Sequence, residues 1–311
     1  MPQKIIFDTD PGIDDALALL LLAKSPEIEL LGITVTHGNT SQEKCLRNAL
    51  SLVELAGIEG IDVVRGATEP LVKELSVAEE THGDGGLGYA KLPTASKKAN
   101  EKPAHDFIIE MVEKHPDEVT ILAVGPMTNV ALALLKRPEI GKKVRSIISM
   151  GGAIHYPGNA TPQAEYNVFC DPEAFDIVLR SGIDFTLVPL DVTYKCIFTK
   201  KHLEQINAAR PEIKNFIADS TRFYMEFHVK HQSIEGCAIN DPLAAALLLD
   251  STLVKLEDYF VRVDLMGPTS KAKTIADYYG ALNQKVNAHV AMQVDVERFM
   301  ELFVERMNRF Q

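Results

Sequence analysis

The sequence predicts an α/β fold, an open and mostly parallel (Rossmann-like) sheet flanked by helices on both faces, with any active site at the C-terminal strand ends. Three observations predict it. Short runs of nearly continuous Ile, Val and Leu recur along the chain, the pattern of strands buried on both faces. Helical patterns with recognisable ends lie between them, which is the βαβ alternation of a parallel sheet. Each early run also finishes on an Asp, Asn or Gly, at the edge where such sheets open their ligand crevice.

Taken in order, KIIFDTD (4–10) reads as the first strand, and an apolar helical run through Ala23 follows it. IELLGITVTHG (28–38) is the second strand. Thr40 with Glu43 reads as a capping box for a helix through Leu55, closed by Gly57. IDVVRG (61–66) is the third strand, and residues 76–102, with HGDGGLG and the polar ASKKANEK, read as a long mobile loop. VTILAVG (119–125) is the fourth strand, with Pro126 suited to the first turn of a helix over 126–136. VRSIISMGG (144–152) and DFTLVPLD (184–191) are the fifth and sixth, separated by a helix that opens at Asp171-Pro172. Beyond 195 the chain reads as mainly helical, including a helix around 213–231, until two late strands near 258–265 and 286–294. No Gly/Ser linker or low-complexity segment divides the 311 residues, so the expectation is one domain over 1–311.

Composition narrows the function. With 46% hydrophobic and 24% charged residues there is material for a sizeable core. A net charge of −11 and no basic run argue against a nucleic-acid partner or an anionic membrane surface. The longest apolar run, around Ala16 to Ala23, is far too short to span a bilayer. The N-terminus enters a strand directly, without the features of a secretory signal. Cys45, Cys170, Cys196 and Cys237 are scattered without CxxC spacing, which suggests neither zinc nor a disulfide framework. A cytoplasmic protein with reduced thiols is expected.

The chemistry concentrates at DTDPGIDD, where Asp8, Asp10, Asp14 and Asp15 crowd between a strand and a helix. A helix N-terminus stabilises one carboxylate by about 0.3–1 kcal/mol. It does not account for three converging ones, whereas a hard divalent cation with oxygen ligands does. Asp241-Pro242 offers another carboxylate at a helix start, although Asp at N-cap before Pro is also an ordinary helix opening. In GNATPQAEYNVFCDPEA (158–174), Asn159, Glu165 and Asn167 suit hydrogen bonding to several sugar hydroxyls, or else form a solvated loop with Asx turns. His82 lies in the Gly-rich loop. Tyr224 and His228 are four apart and share a helix face, where a histidine reads equally as structural.

Together these motifs resemble the inosine–uridine-preferring nucleoside hydrolases along essentially the whole chain. DTDPGIDDALA is close to that family's N-terminal signature, and GN (38–39), HGDGGLG (82–88), VGPMTN (124–129), MGG (150–152), GNATPQAEYN (158–167), DPEA (171–174) and NDP (240–242) match in order. The resemblance implies hydrolysis of the N-glycosidic bond of ribonucleosides, a homodimer or homotetramer, and a Ca²⁺ held by Asp10, Asp15, Asp241 and the Val124 carbonyl. The ion would be shared with the ribose hydroxyls and a water, which Asp10 would deprotonate for attack on C1′. Asp14 and Asn167 would hold the 2′-hydroxyl, Asp241 the 3′-hydroxyl, and Asn159 with Glu165 the 5′ side, with Asn39 and Met150 lining the pocket.

The chain departs from the family at Asn240, where several purine-cleaving members carry a histidine proposed to protonate the leaving base. An amide donates a hydrogen bond but delivers no proton at neutral pH. His228, or His82 or His231 from the lid region, is then the candidate proton source, beside Tyr224. The second departure is HGDGG where HGESG is commoner. Two other readings are a nucleoside-binding protein with weakened catalysis and a haloacid-dehalogenase-like phosphatase suggested by FDTDPG.

Overall fold

The computed structural model describes residues 2–311. Its strands are β1 (Gln3–Thr9), β2 (Ile28–Val35), β3 (Asp62–Arg65), β4 (Val119–Ala123), β5 (Ser146–Met150), β6 (Phe185–Val188), β7 (Ile197–Phe198), β8 (Cys237–Ala238), β9 (Val254–Tyr259), β10 (Val261–Val263), β11 (Thr274–Ala276) and β12 (Ala288–Val294). Helices α1 (Ile13–Ala23), α2 (Gln42–Ala56), α3 (Glu79–His82), α4 (Ala104–Lys114), α5 (Thr128–Lys136) and α6 (Tyr166–Cys170) alternate with the first strands. They are followed by α7 (Pro172–Leu179), α8 (Leu190–Thr193), α9 (Lys200–Gln205), α10 (Pro211–Gln232), α11 (Asn240–Ala246) and α12 (Val296–Met307). Eight strands form the central sheet in the order β3-β2-β1-β4-β5-β6-β12-β9, parallel throughout except for β9 at the edge.

The strand patterning explains the layers. Ile5 and Phe7 of β1 join one apolar cluster and Ile6 the other, and β4 divides in the same way between Leu122 and Ile121. Both faces are therefore buried, and a continuous apolar run results where a half-exposed strand would alternate. Helix α1 is buried from Ile13 to Leu22, as an all-round apolar helix must be, and it packs on α11, α2 and α12. Helices α4, α5 and α7 cover the opposite face.

Four local expectations are corrected. The strand expected near 258–265 is two strands. Asn287 accepts from the Val261 N–H at 2.7 Å and donates to its carbonyl at 2.8 Å, which takes the backbone groups that would have continued the ladder. Residues 261–263 then leave the main sheet and pair with β11. The α2 N-cap is Ser41 rather than Thr40, whose hydroxyl turns to Cys45 Sγ, so no capping box forms. Helix α5 begins at Thr128, two residues after Pro126. Within 76–102 the chain forms α3, and its far end is tied down through a Val64–Asn100 bridge and the Glu54 contacts to Ser96. The small β7–β8 pair had no sequence expectation, being only two residues long in each strand.

Helix α12 closes the sheet's α1 face through Phe303, which is fully buried and edge-on to Phe198 at 5.8 Å. Phe303→Ala is expected to cost about 3–5 kcal/mol. Urea denaturation should show the midpoint falling with the slope unchanged.

Candidate active site

The sheet reverses its order of addition between β1 and β4, so their carboxyl ends part and leave a crevice. Asp10 follows β1 directly, and Pro11-Gly12 turns the chain into α1. Asp15, three residues past the Gly12 N-cap, accepts from Gly12 N at 3.0 Å. Thr9 Oγ1 at 2.6 Å, Asp10 N at 3.2 Å and Asn39 Nδ2 at 2.8 Å also donate to it. Four donors thus lock the Asp15 carboxylate. Asp10 Oδ2 accepts from Asn39 N at 2.7 Å, while its Oδ1 is buried without a partner. Glycine makes this approach possible. A Cβ on Gly38, at φ +151°, would stand 2.0 Å from Asp10 Oδ2, and one on Gly125 would stand 2.4 Å from Oδ1.

Asp14 points the other way and accepts from Asn240 Nδ2 at 2.9 Å. Asp241 is not a cap. Ile239 is the N-cap of α11, and Asp241 stands in its first turn facing Asp15. Asp14, Asp15 and Asp241 each bring one carboxylate oxygen within 4.8 Å of the others. Asp10 lies beside Asp15 but outside that triad, so the geometry groups Asp14 where the resemblance implied Asp10. The Val124 carbonyl accepts from Asn167 Nδ2 at 2.7 Å, with its second lone pair still available. Burial raises all four carboxyl pKa values, and for Asp10, Asp15 and Asp241 the neighbouring carboxylates push in the same direction. No lysine or arginine lines the cavity. Oxygen-only donors, no cationic side chain and an orphaned Asp10 oxygen together fit a hard divalent cation.

Asp14, Asn39, His82, Val124, Met150, Asn159, Glu165, Asn167, Tyr224, His228, Asn240 and Asp241 all line one cavity above this floor. Asp10 and Asp15 lie behind it, fully buried. Glu165 is occupied by the backbone, accepting from Asn167 N at 2.8 Å, Gly152 N at 2.9 Å and Val168 N at 3.1 Å. The Glu-Tyr-Asn triplet, which a solvated loop left unaccounted for, thus has a structural explanation as the N-cap of α6. Burial still pushes the Glu165 carboxyl up to about 7. Asn159 Oδ1 accepts from Tyr166 N at 2.9 Å. Asp191, expected at the end of a strand over 184–191, lies instead in the first turn of α8, because β6 stops at Val188, and it accepts from the N–H groups of Ile154 and His155.

Above the floor the wall is aromatic and neutral. His82 Nδ1 accepts from Ile13 N at 3.0 Å, and its ring faces Tyr224 at 5.3 Å. His228 Nδ1 donates to the Tyr224 carbonyl at 2.8 Å, leaving Nε2 free. Burial lowers both histidines to about 4, so both are neutral at pH 7. His231 is exposed and stacks on Phe227 at 4.8 Å, away from the cavity lining. The sequence reading missed Tyr166, Tyr194, Phe227 and Gln232. Gln232 was findable, one turn beyond Tyr224 and His228 on the same face. Tyr194, at the end of the four-residue α8, carried no local signal.

The raised carboxyl values set a pH dependence. Below those values protons compete with a cation for the same oxygens. A divalent cation at 100 times its Kd stabilises a protein by about 2.7 kcal/mol. If the carboxylates hold such a cation, the rise in Tm on adding calcium as the probe is expected to be large at pH 8 and to shrink by pH 5.5. Taking the difference with and without calcium at each pH removes the separate effect of the buried neutral histidines. An increment that grew on acidification would contradict the assignment.

Over residues 5–301 the chain matches the family model described as inosine-uridine preferring nucleoside hydrolase. It is 40% identical to uridine nucleosidase 1 of Arabidopsis thaliana, across 85% of this chain and 79% of that protein. It is 36% identical to a pyrimidine-specific ribonucleoside hydrolase of Citrobacter koseri, across 99% of this chain and 98% of the other. Among solved structures, a purine-preferring ribonucleoside hydrolase from Gardnerella vaginalis superposes with a TM-score of 0.93, at 37% identity and 99% coverage of both chains.

Proposed function

The chain belongs to the inosine-uridine preferring nucleoside hydrolase family and is a ribonucleoside hydrolase, and from that premise we propose that it is a calcium-dependent enzyme in which Asp10 is the general base. The observation that carries this is the unpartnered, fully buried Asp10 Oδ1 beside three further carboxylates. Asp10, Asp15, Asp241 and the Val124 carbonyl would hold the ion, with Asp14 as a neighbouring donor. A bound divalent cation supplies Lewis-acid polarisation of water and of the ribose hydroxyls.

The chain's own residues do the rest. Asp10 Oδ1 takes a proton from the water that attacks C1′, and Asn39, by donating to Oδ2, holds the base in place. The C1′–N bond breaks through an oxocarbenium-like state. The buried carboxylates favour the positive charge developing on the sugar. Asp14 and Asn167 bind the 2′-hydroxyl, Asp241 the 3′-hydroxyl, and Asn159 with Glu165 the 5′ side. Met150 packs along the ribose.

At the leaving group, Asn240 is held by Asp14 and supplies a hydrogen bond but no proton. His228, whose Nδ1–H is spent on the Tyr224 carbonyl, delivers a proton from Nε2 only in its doubly protonated form, while neutral His82, with Nδ1 accepting, keeps an N–H on Nε2, and Tyr224 stands beside both. Because both imidazoles are held neutral, purine release, which relies more on an acid, is disfavoured, and we read uridine as preferred over inosine. The names of the uridine- and pyrimidine-cleaving relatives agree with this, while the purine-preferring structural neighbour does not.

We further read 1–311 as one nucleoside hydrolase-like domain, since the central sheet draws strands from Gln3 to Val294. Four buried free thiols suit a cytoplasmic role in nucleoside salvage, and the exposed Met266 and Tyr279 offer apolar surface for a homodimer or homotetramer. The family match removes the haloacid-dehalogenase-like phosphatase reading.

Purified protein given uridine or inosine should release free base, more from uridine, and a calcium chelator should abolish the release. Asp10→Asn should lower kcat by about 10²–10⁴-fold while the protein still binds uridine. Binding of both nucleosides with no release from either would instead indicate a binding protein. His228→Ala should reduce kcat on inosine more than on uridine, measured as hypoxanthine and uracil released.

A further inference from the structure

Two side chains on the cavity wall, on the far side from the acidic floor, have unused hydrogen-bonding capacity of opposite sense. Tyr194 caps the end of α8 and Gln232 is the last residue of α10, and both line the cavity. Gln232 Nε2 donates to the Tyr194 hydroxyl at 3.2 Å. That bond sets the orientation of each group. The phenol oxygen accepts from the amide, so its own O–H is left to donate, with the Asn159 side chain standing next to it. The other end of the amide, Gln232 Oε1, is buried without any donor. A buried acceptor left unpaired is costly, so a pair that offers one free donor beside one free acceptor has capacity the protein itself does not use. The ring of Tyr194 is held by Tyr156 at 5.1 Å and by His228 at 6.4 Å, which limits how far the hydroxyl can swing away.

We propose that Tyr194 and Gln232 act as one donor–acceptor pair for the substrate. The Tyr194 O–H donates to a substrate oxygen, and Gln232 Oε1 accepts a neighbouring substrate N–H or O–H. The inference rests on the ribonucleoside reading above. Two parts of a ribonucleoside carry that chemistry. One is the 5′-hydroxyl, which both donates and accepts, and the Asn159 amide stands beside the same phenol. The other is the lactam edge of uracil or hypoxanthine, where a carbonyl adjoins an N–H. 3-Methyluridine keeps both carbonyls but has no N3–H, so Gln232 Oε1 would find no donor there, and a 5′-phosphate dianion likewise offers none.

The test compares the wild-type chain, Tyr194→Phe and Gln232→Leu on uridine, 5′-deoxyuridine and 3-methyluridine, read as kcat/KM. Ratios between substrates within one variant do not depend on how much of it is folded. Both variants should lose about three- to tenfold on uridine, the usual effect of one neutral hydrogen bond. A loss that vanishes on 5′-deoxyuridine assigns the pair to the hydroxyl. A Gln232→Leu loss that persists there but vanishes on 3-methyluridine assigns it to the lactam edge. Equal loss on all three substrates, or no loss on uridine, overturns the proposal. A wild-type chain that releases no base would sink the hydrolase reading instead, and the same three ratios would then be taken from nucleoside binding by calorimetry.

Discussion

The structure depends on carboxylates held together out of water. Asp10, Asp14 and Asp15 come from one strand-to-helix turn and Asp241 from another more than two hundred residues away, and among the described residues no lysine or arginine lines the cavity to offset them. Like charges at such separations in a low-dielectric interior repel strongly. The surrounding architecture serves to hold them despite that. The parallel sheet brings the strand ends together, α1 and α11 pack side by side, and glycines at 38 and 125 let two loops close on Asp10 where a Cβ would collide.

Orientation within the cluster is set by backbone and amide donors more than by charge. Asp15 accepts from four donors and Glu165 from three N–H groups, so neither has much freedom to reorient. Asp10 is the exception, with one oxygen fixed by Asn39 and the other left open. A carboxylate fixed on one side and unsatisfied on the other is preorganised to take a proton or hold a cation. It does so without a large reorganisation cost. Farther out the wall is neutral, with two buried imidazoles, several phenols and amides, so polarity in the cavity runs from anionic at the floor to uncharged at the rim.

That division follows the elements. The acids sit at the first turns of α1 and α11, close to strand ends that the sheet rigidly positions. The neutral groups sit on or beside α3, α8 and α10. On the function proposed above, the sugar and its bond would meet the acids and the base would meet the neutral helices.

Much of this was legible in the sequence. Both-face burial writes a continuous apolar run into each strand, so the parallel sheet and its carboxyl-edge crevice followed from the pattern. The clustered aspartates of DTDPGIDD announced an unusual electrostatic demand because they are neighbours in the chain. What the sequence could not decide was anything resting on contacts between distant segments. Asn287 breaking a strand by occupying Val261, Glu165 capping a helix, and Asp14 and Asp15 meeting Asp241 all depend on side-chain direction. The same holds for Tyr194, which meets Gln232 across 38 residues of chain. Periodicity reports which face of an element is buried, because that is a local average over many residues. A hydrogen-bond partner is a single long-range choice, and only the folded chain makes it.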